Sequence, residues 1–127
     1  MLIFKPDVKP KSCPIEDADL VAVFAYIRLK YKDKLIFHPV NEGNMPVQYR
    51  AKLKAKGMKN GIPDIILLSP GAKHSYGVIE LKRANGVFSD LTKEQKENLE
   101  QAHGEGGFAA VAFGYDAAIA ALVEYFS

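Results

Sequence analysis

The 127-residue chain has one cysteine, three scattered histidines and no long apolar run, and each shortage removes a class of function. A lone Cys13 allows no internal disulfide and suits a reducing compartment. His38, His74 and His103 lack the spacing of a zinc site. The longest apolar stretch covers a few residues, far short of a membrane span. The start, MLIFKPDVKPK, offers too brief an apolar segment for a signal peptide. Repeats, linkers and low-complexity segments are missing as well. At 48% hydrophobic and 25% charged, the composition is that of an ordinary soluble domain with one core.

Acids are missing from one region in particular. No Asp or Glu lies between Asn44 and Ile62, where Arg50, Lys52, Lys54, Lys56 and Lys59 fall. The net charge of +2 divides into +6 over residues 1–60 and −4 over residues 61–127. Such a basic run is either a solvated helix face or a footprint for a polyanion.

Pro6, Pro10 and Pro14 mark residues 1–13 as an extended arm. Acids after Pro14 open a helix, and Leu20, Phe24, Ile27 and Tyr31 give it one apolar stripe, to about Lys32. Leu35 to Val40 reads as a strand, with Pro39 suggesting an edge position or a strand end. Asn41 to Asn44 reads as a turn, and Pro46 opens a second helix to about Lys56. Thr92 to Gln95 matches a capping box and starts a helix to about His103. Phe108 to Phe113 is a strand. Asp116 is expected to cap a last helix, with Ile119, Leu122, Val123 and Phe126 buried. The expected order is α–β–α–β–β–α–β–α, an α/β fold with one mixed sheet and helices on both faces.

The middle of the chain, GIPDIILLSPGAKHSYGVIELK (61–82), carries the chemistry. Two apolar strands flank Ser69-Pro70-Gly71. A turn centred near Ala72 sets Leu68 opposite Tyr76, Ile66 opposite Val78 and Asp64 opposite Glu80, with Lys82 on the face of Glu80. Ile65, Leu67, Ile79 and Leu81 then line one face and Ile66, Leu68 and Val78 the other. Strands apolar on both faces are covered on both sides, so charges at their ends sit at the margin of a core. Facing carboxylates repel unless a proton or a cation joins them. Hard divalent cations prefer such oxygens, and a neighbouring lysine completes a set able to hydrolyse a phosphodiester. The other reading of the same residues is a strand-start aspartate and a solvated Glu–Lys pair.

Pro63-Asp64 and Glu80-Leu81-Lys82 together resemble the P-D…(D/E)-x-K signature of the PD-(D/E)XK nuclease superfamily. With Gly61-Ile62 and Ile79 beside them, Leu91 to Gln95, Lys56 to Asn60, His38 to Gly43 and Gly114-Tyr115-Asp116, the chain resembles the VRR-NUC (virus-type replication-repair nuclease) family. It is most similar to small stand-alone members, many from bacteriophages, over roughly residues 14–126. The family's leading VRR letters are not visible, which leaves substrate preference open.

The resemblance implies a PD-(D/E)XK-like sheet in a single nuclease domain over residues 14–127. It implies a Mg²⁺- or Mn²⁺-dependent DNA endonuclease acting on branched DNA, such as four-way junctions or flaps, in replication, recombination or repair. It further implies a homodimer and a cytoplasmic location, in a bacterial host if phage-encoded. Asp64, Glu80 and the Leu81 carbonyl would hold the metal, and Lys82 would position or activate water. Gln95 would accompany the site, or simply bond the helix start. Glu16 would point at the metal, or simply favour a helix N-terminus. Glu42 is a weaker acidic match. Arg50, Lys52, Lys54, Lys56, Lys59 and Arg83 would contact DNA phosphates. Two rivals remain: a nucleic-acid-binding module without chemistry, and an enzyme acting on RNA, which lacks any RNA-binding motif.

Overall fold

The computed structural model describes residues 1–40 and 45–127. Along the chain run β1 (Leu2–Phe4), α1 (Glu16–Lys30), β2 (Ile36–Phe37), α2 (Val47–Ala55), β3 (Ile65–Leu67), β4 (Gly77–Lys82), α3 (Lys93–Gly104), β5 (Phe108–Phe113) and α4 (Tyr115–Phe126). The strands form one sheet in the order β1-β5-β4-β3-β2. β1, β5 and β4 are parallel; β3 and β2 run antiparallel to their neighbours. From α1 onward this is the expected order. The expected turn at residues 41–44 lies outside the described residues.

The first correction concerns the N-terminal arm. Residues 2–4 are a strand, with Ile3 opposite Val111 of β5. β5 buries all six of its side chains, and its outer edge would otherwise leave backbone groups unpaired beside the core. The prolines that mark an arm begin at Pro6, beyond the residues that pair.

The β3–β4 register is the expected one. Ile66 faces Val78, and Ile65 faces Ile79. Alternation then divides the core. Ile65, Leu67, Ile79, Leu81, Phe108, Ala110 and Ala112 pack against Val23 and Ile27 of α1 and against α4. On the other face Val78, Ala109, Val111 and Phe113 pack against Leu91 and against Leu99 of α3. That helix lies mainly on β4 and β5. Leu68, expected on a covered face, is therefore 50% exposed just past the end of β3.

The α4 stripe also differs. Ala117, Ala118, Ala121, Leu122 and Tyr125 are its buried residues. Ile119 and Phe126 lie at the core margin, and Val123 is 47% exposed. Alanines on α4 meet Ala110 and Ala112 on the sheet, so the small residues take the close-approach position and the larger ones flank it. Gly114, not Asp116, is the N-cap, with a φ of 96°. A Cβ there would stand 2.7 Å from that of Ala84, so this strand-to-helix turn needs glycine twice over.

The β3–β4 connection is anchored on α4. The Tyr125 hydroxyl donates to the Ser69 carbonyl at 2.6 Å, and the Ala72 N–H donates to the Tyr125 carbonyl at 2.9 Å. Its ring lies so close to Gly77 that a Cβ there would be 2.8 Å away. Tyr125→Phe keeps the ring and deletes one buried bond. It is expected to cost about 1 kcal/mol in urea denaturation, with the sheet unchanged.

Candidate metal centre

At the charged end of the hairpin the sheet meets the start of α1. The register that pairs Ile65 with Ile79 carries Asp64 to the position opposite Glu80. The Asp64 carboxylate is held there by the Leu81 N–H, which donates to Oδ2 at 2.8 Å. From the other side, the Asp64 carbonyl accepts a bond from Nδ1 of His38 at 2.7 Å. Glu16, the first residue of α1, brings a third carboxylate. One oxygen from each of Glu16, Asp64 and Glu80 falls within 4.8 Å of the others. The fold thus gathers both hairpin acids and the helix-start acid into one cluster.

Glu80 is the unusual member. It is 1% exposed, and its Oε1 is buried without a hydrogen-bond partner among the described residues. Burial above all, then the charge of Asp64, a hydrogen bond to Asp64 and the charge of Glu16, push its pKa up to about 10; the charge of Lys82 works the other way. Lys82 supplies a neighbouring cation, with Nζ 3.9 Å from Glu80 Oε2 and a side chain 13% exposed. That is an ion pair too long for a hydrogen bond. An orphaned buried carboxylate oxygen among three acids is the environment a hard divalent cation would complete. The donor set is oxygen alone, the kind hard cations prefer and thiophilic metals do not.

Gln95 is engaged at the start of α3. Its Oε1 accepts from the Thr92 N–H at 2.9 Å, and its own N–H donates to Thr92 Oγ1 at 3.2 Å. The same turn packs on Gly61, whose φ is 75° and whose added Cβ would meet the Gln95 backbone nitrogen at 2.7 Å. Leu81 sends its side chain into the core and its N–H to Asp64. Glu42 lies outside the described residues.

The basic residues lie on α2, in the loop that leads from it to Asp64, and directly after β4. α2 carries Arg50, Lys52 and Lys54, has no buried residue, and ends at Lys56. Arg50 donates to Asn60 Oδ1 at 3.4 Å, and Asn98 of α3 donates to the Asn60 carbonyl at 2.9 Å. Lys59 and Arg83 are exposed, Arg83 directly after Lys82. Two residues, His38 bonded to Asp64 and the buried Asp19 of α1, have no assigned role in the sequence reading. The spacing of His38 speaks only to zinc. Asp19, one turn along α1 from Glu16, is 5% exposed, its pKa raised by burial and by Asp116. The sequence signal for the first is its position directly before Pro39; for the second it is an acid within the apolar stripe.

Comparison with known proteins agrees with this geometry. A solved structure described as a VRR_NUC domain protein superposes with a TM-score of 0.72 at 28% identity, over 90% of this chain and 89% of that one. Curated protein sequences give no match. The family model for the VRR-NUC domain matches residues 22–116, a span that holds Asp64, Glu80, Lys82 and Gln95 but not Glu16. The sheet, the acidic cluster at its hairpin end and that match over most of the sequence have one reading: the chain belongs to the VRR-NUC domain family and has its nuclease-type fold.

Proposed function

We propose that the protein is a divalent-metal-dependent DNA endonuclease. One observation carries the reading: three carboxylates converge within 4.8 Å beside a lysine, and one of their oxygens is buried and unsatisfied. Glu16, Asp64 and Glu80 would hold Mg²⁺ or Mn²⁺, with the Leu81 carbonyl as a further ligand. Such an ion supplies a Lewis acid for the scissile phosphate. Leu81 orients the Asp64 carboxylate through its N–H. Lys82 places a positive charge where negative charge develops and orients the attacking water. Gln95 contributes through its side-chain amide beside the Asp64 loop.

Arg50, Lys52, Lys54, Lys56, Lys59 and Arg83 would bind the phosphate backbone. The substrate is branched DNA, a four-way junction or flap, met in replication, recombination or repair. The working form is a homodimer in the cytoplasm. No helix among the described residues is long and apolar enough to cross a membrane.

The test is a panel of fluorescent four-way-junction, flap and linear duplex DNA with Mg²⁺, Mn²⁺ or EDTA, beside an Asp64→Ala/Lys82→Ala control. A ribonucleotide version of one branched substrate completes it. Metal-dependent cutting of a branched DNA, lost in the control, is expected. Binding without cutting of any form favours a non-catalytic module, and preference for the ribonucleotide version favours an RNA enzyme. For the basic stretch, the variant with Lys52, Lys54 and Lys56 all changed to alanine is expected to bind DNA more weakly. The slope of log affinity against log salt should shrink by up to about 2.7. At saturating DNA its cutting rate should match wild type.

A further inference from the structure

β2 is short, and the two residues after it lead the chain back to Asp64 of the metal cluster. The β2–β3 ladder sets Ile36 against Leu67 and Phe37 against Ile66. Continued by two residues, that register sets Pro39 against Asp64. Hydrogen-bonded positions alternate along an antiparallel pair. The Leu68 N–H donates to the Leu35 carbonyl at 3.0 Å. The bonded positions are therefore Leu35 with Leu68, Phe37 with Ile66, and Pro39 with Asp64. At the last of these an ordinary residue would donate its N–H to the Asp64 carbonyl. Proline has none to give. The side chain of the preceding residue takes its place: His38 Nδ1 is 2.7 Å from that carbonyl oxygen. A carbonyl only accepts, so the ring is the donor, protonated on Nδ1.

We infer that His38 is a positioning residue for the metal centre, its Nδ1–H standing in for the ladder bond that Pro39 cannot make. The inference rests on the proposed metal reading of the cluster. It follows from where Asp64 sits, at the end of the pairing between an edge strand and its neighbour, where a ladder frays most easily. Bonds hold Asp64 from opposite ends, His38 on its carbonyl, and the Leu81 N–H and Glu80 on its carboxylate. Removing the first leaves the others to orient a carboxylate on a loosened backbone. Groups that orient metal ligands from behind are worth about 10- to 100-fold in affinity. The arrangement also explains the His-Pro pair. Proline ends the strand, and histidine makes good the bond that the ending removes.

His38→Asn and His38→Leu test this. The asparagine Nδ2 occupies the place of the ring Nδ1 and can donate; leucine cannot. Three quantities are measured: Mn²⁺ affinity by electron paramagnetic resonance, kcat and KM on a cleaved DNA, and the ring nitrogen resonances of the wild type at mildly alkaline pH. His38→Leu should bind Mn²⁺ about 10- to 100-fold more weakly, with a lower kcat and an unchanged KM for DNA. His38→Asn should stay close to wild type. The wild-type ring should show the Nδ1–H tautomer. An Nε2–H tautomer, a leucine variant with wild-type Mn²⁺ affinity, or an asparagine variant as impaired as the leucine one would each overturn the inference. Wild-type protein that binds no Mn²⁺ would remove the metal reading itself, and the ring tautomer would still decide the hydrogen bond.

Discussion

Asp64→Ala is expected to lower DNA cutting by at least about a thousandfold while the protein stays folded. Removing one preorganised electrostatic group from an active site costs about 100- to 1,000-fold, and Asp64 has two duties. It is one of three acids in the cluster, and it fixes the end of β4 through the Leu81 N–H. Stability should fall only modestly. The lost hydrogen bonds, one from the Leu81 N–H and one with the Glu80 carboxyl, cost about 1 kcal/mol each, too little to unfold a typical domain. Lys82→Ala should lose about 100- to 10,000-fold, again with DNA binding intact. Single-turnover rates on a labelled substrate, with thermal unfolding beside them, separate lost chemistry from lost folding. Activity within tenfold of wild type in either variant would remove the assigned mechanism.

Glu80→Gln should have the opposite signature, losing activity while stabilising the metal-free protein. The Glu80 pKa is about 10 in the folded chain against an ordinary value of 4.5. Between those two values the folded state holds a proton that the unfolded state has released. The favourable contribution of the protonated carboxyl is complete below pH 4.5 and is lost as the pH rises towards 10. The slope is at most about 1.4 kcal/mol per pH unit. In EDTA, wild-type Tm should therefore fall from mildly acidic to alkaline pH more steeply than that of Glu80→Gln, and the variant should be several degrees more stable at the alkaline end. Divalent metal reverses the comparison, because a metal ligand must give up its proton to bind. Mg²⁺ or Mn²⁺ should raise wild-type Tm most at alkaline pH and leave the variant nearly unmoved. Parallel Tm profiles for the two proteins in EDTA would show that Glu80 holds no such proton.

The site is more legible in the sequence than its surroundings are. Asp64 and Glu80 can be set opposite each other because Ile66 and Val78 lie on strands whose register follows from a turn near Ala72, and that register is the one found. Glu16 joins the cluster from α1, although its charge at a helix start needs no such explanation. Gln95 makes the capping box that Thr92 to Gln95 predicts. The features hidden from sequence depend on small residues and on neighbours distant along the chain. Alanine carries almost no hydrophobic signal, so the buried face of α4 lies one step from the stripe that Ile119 and Val123 suggest. β1 is three residues long and acquires its identity only from β5. The His38 bond spans 26 residues; nothing in the local pattern around it names Asp64 as its acceptor.

Everything proposed for this protein rests on Glu16, Asp64 and Glu80 forming one divalent-metal site. Mn²⁺ titration followed by electron paramagnetic resonance tests this, on wild type and on Glu16→Gln, Asp64→Asn and Glu80→Gln in turn. Saturable binding by the wild type is expected, weakened at least about tenfold in every variant. Mg²⁺ should displace the bound Mn²⁺. Wild-type protein that leaves the free Mn²⁺ signal unchanged, or variants that bind as it does, would contradict a shared metal site.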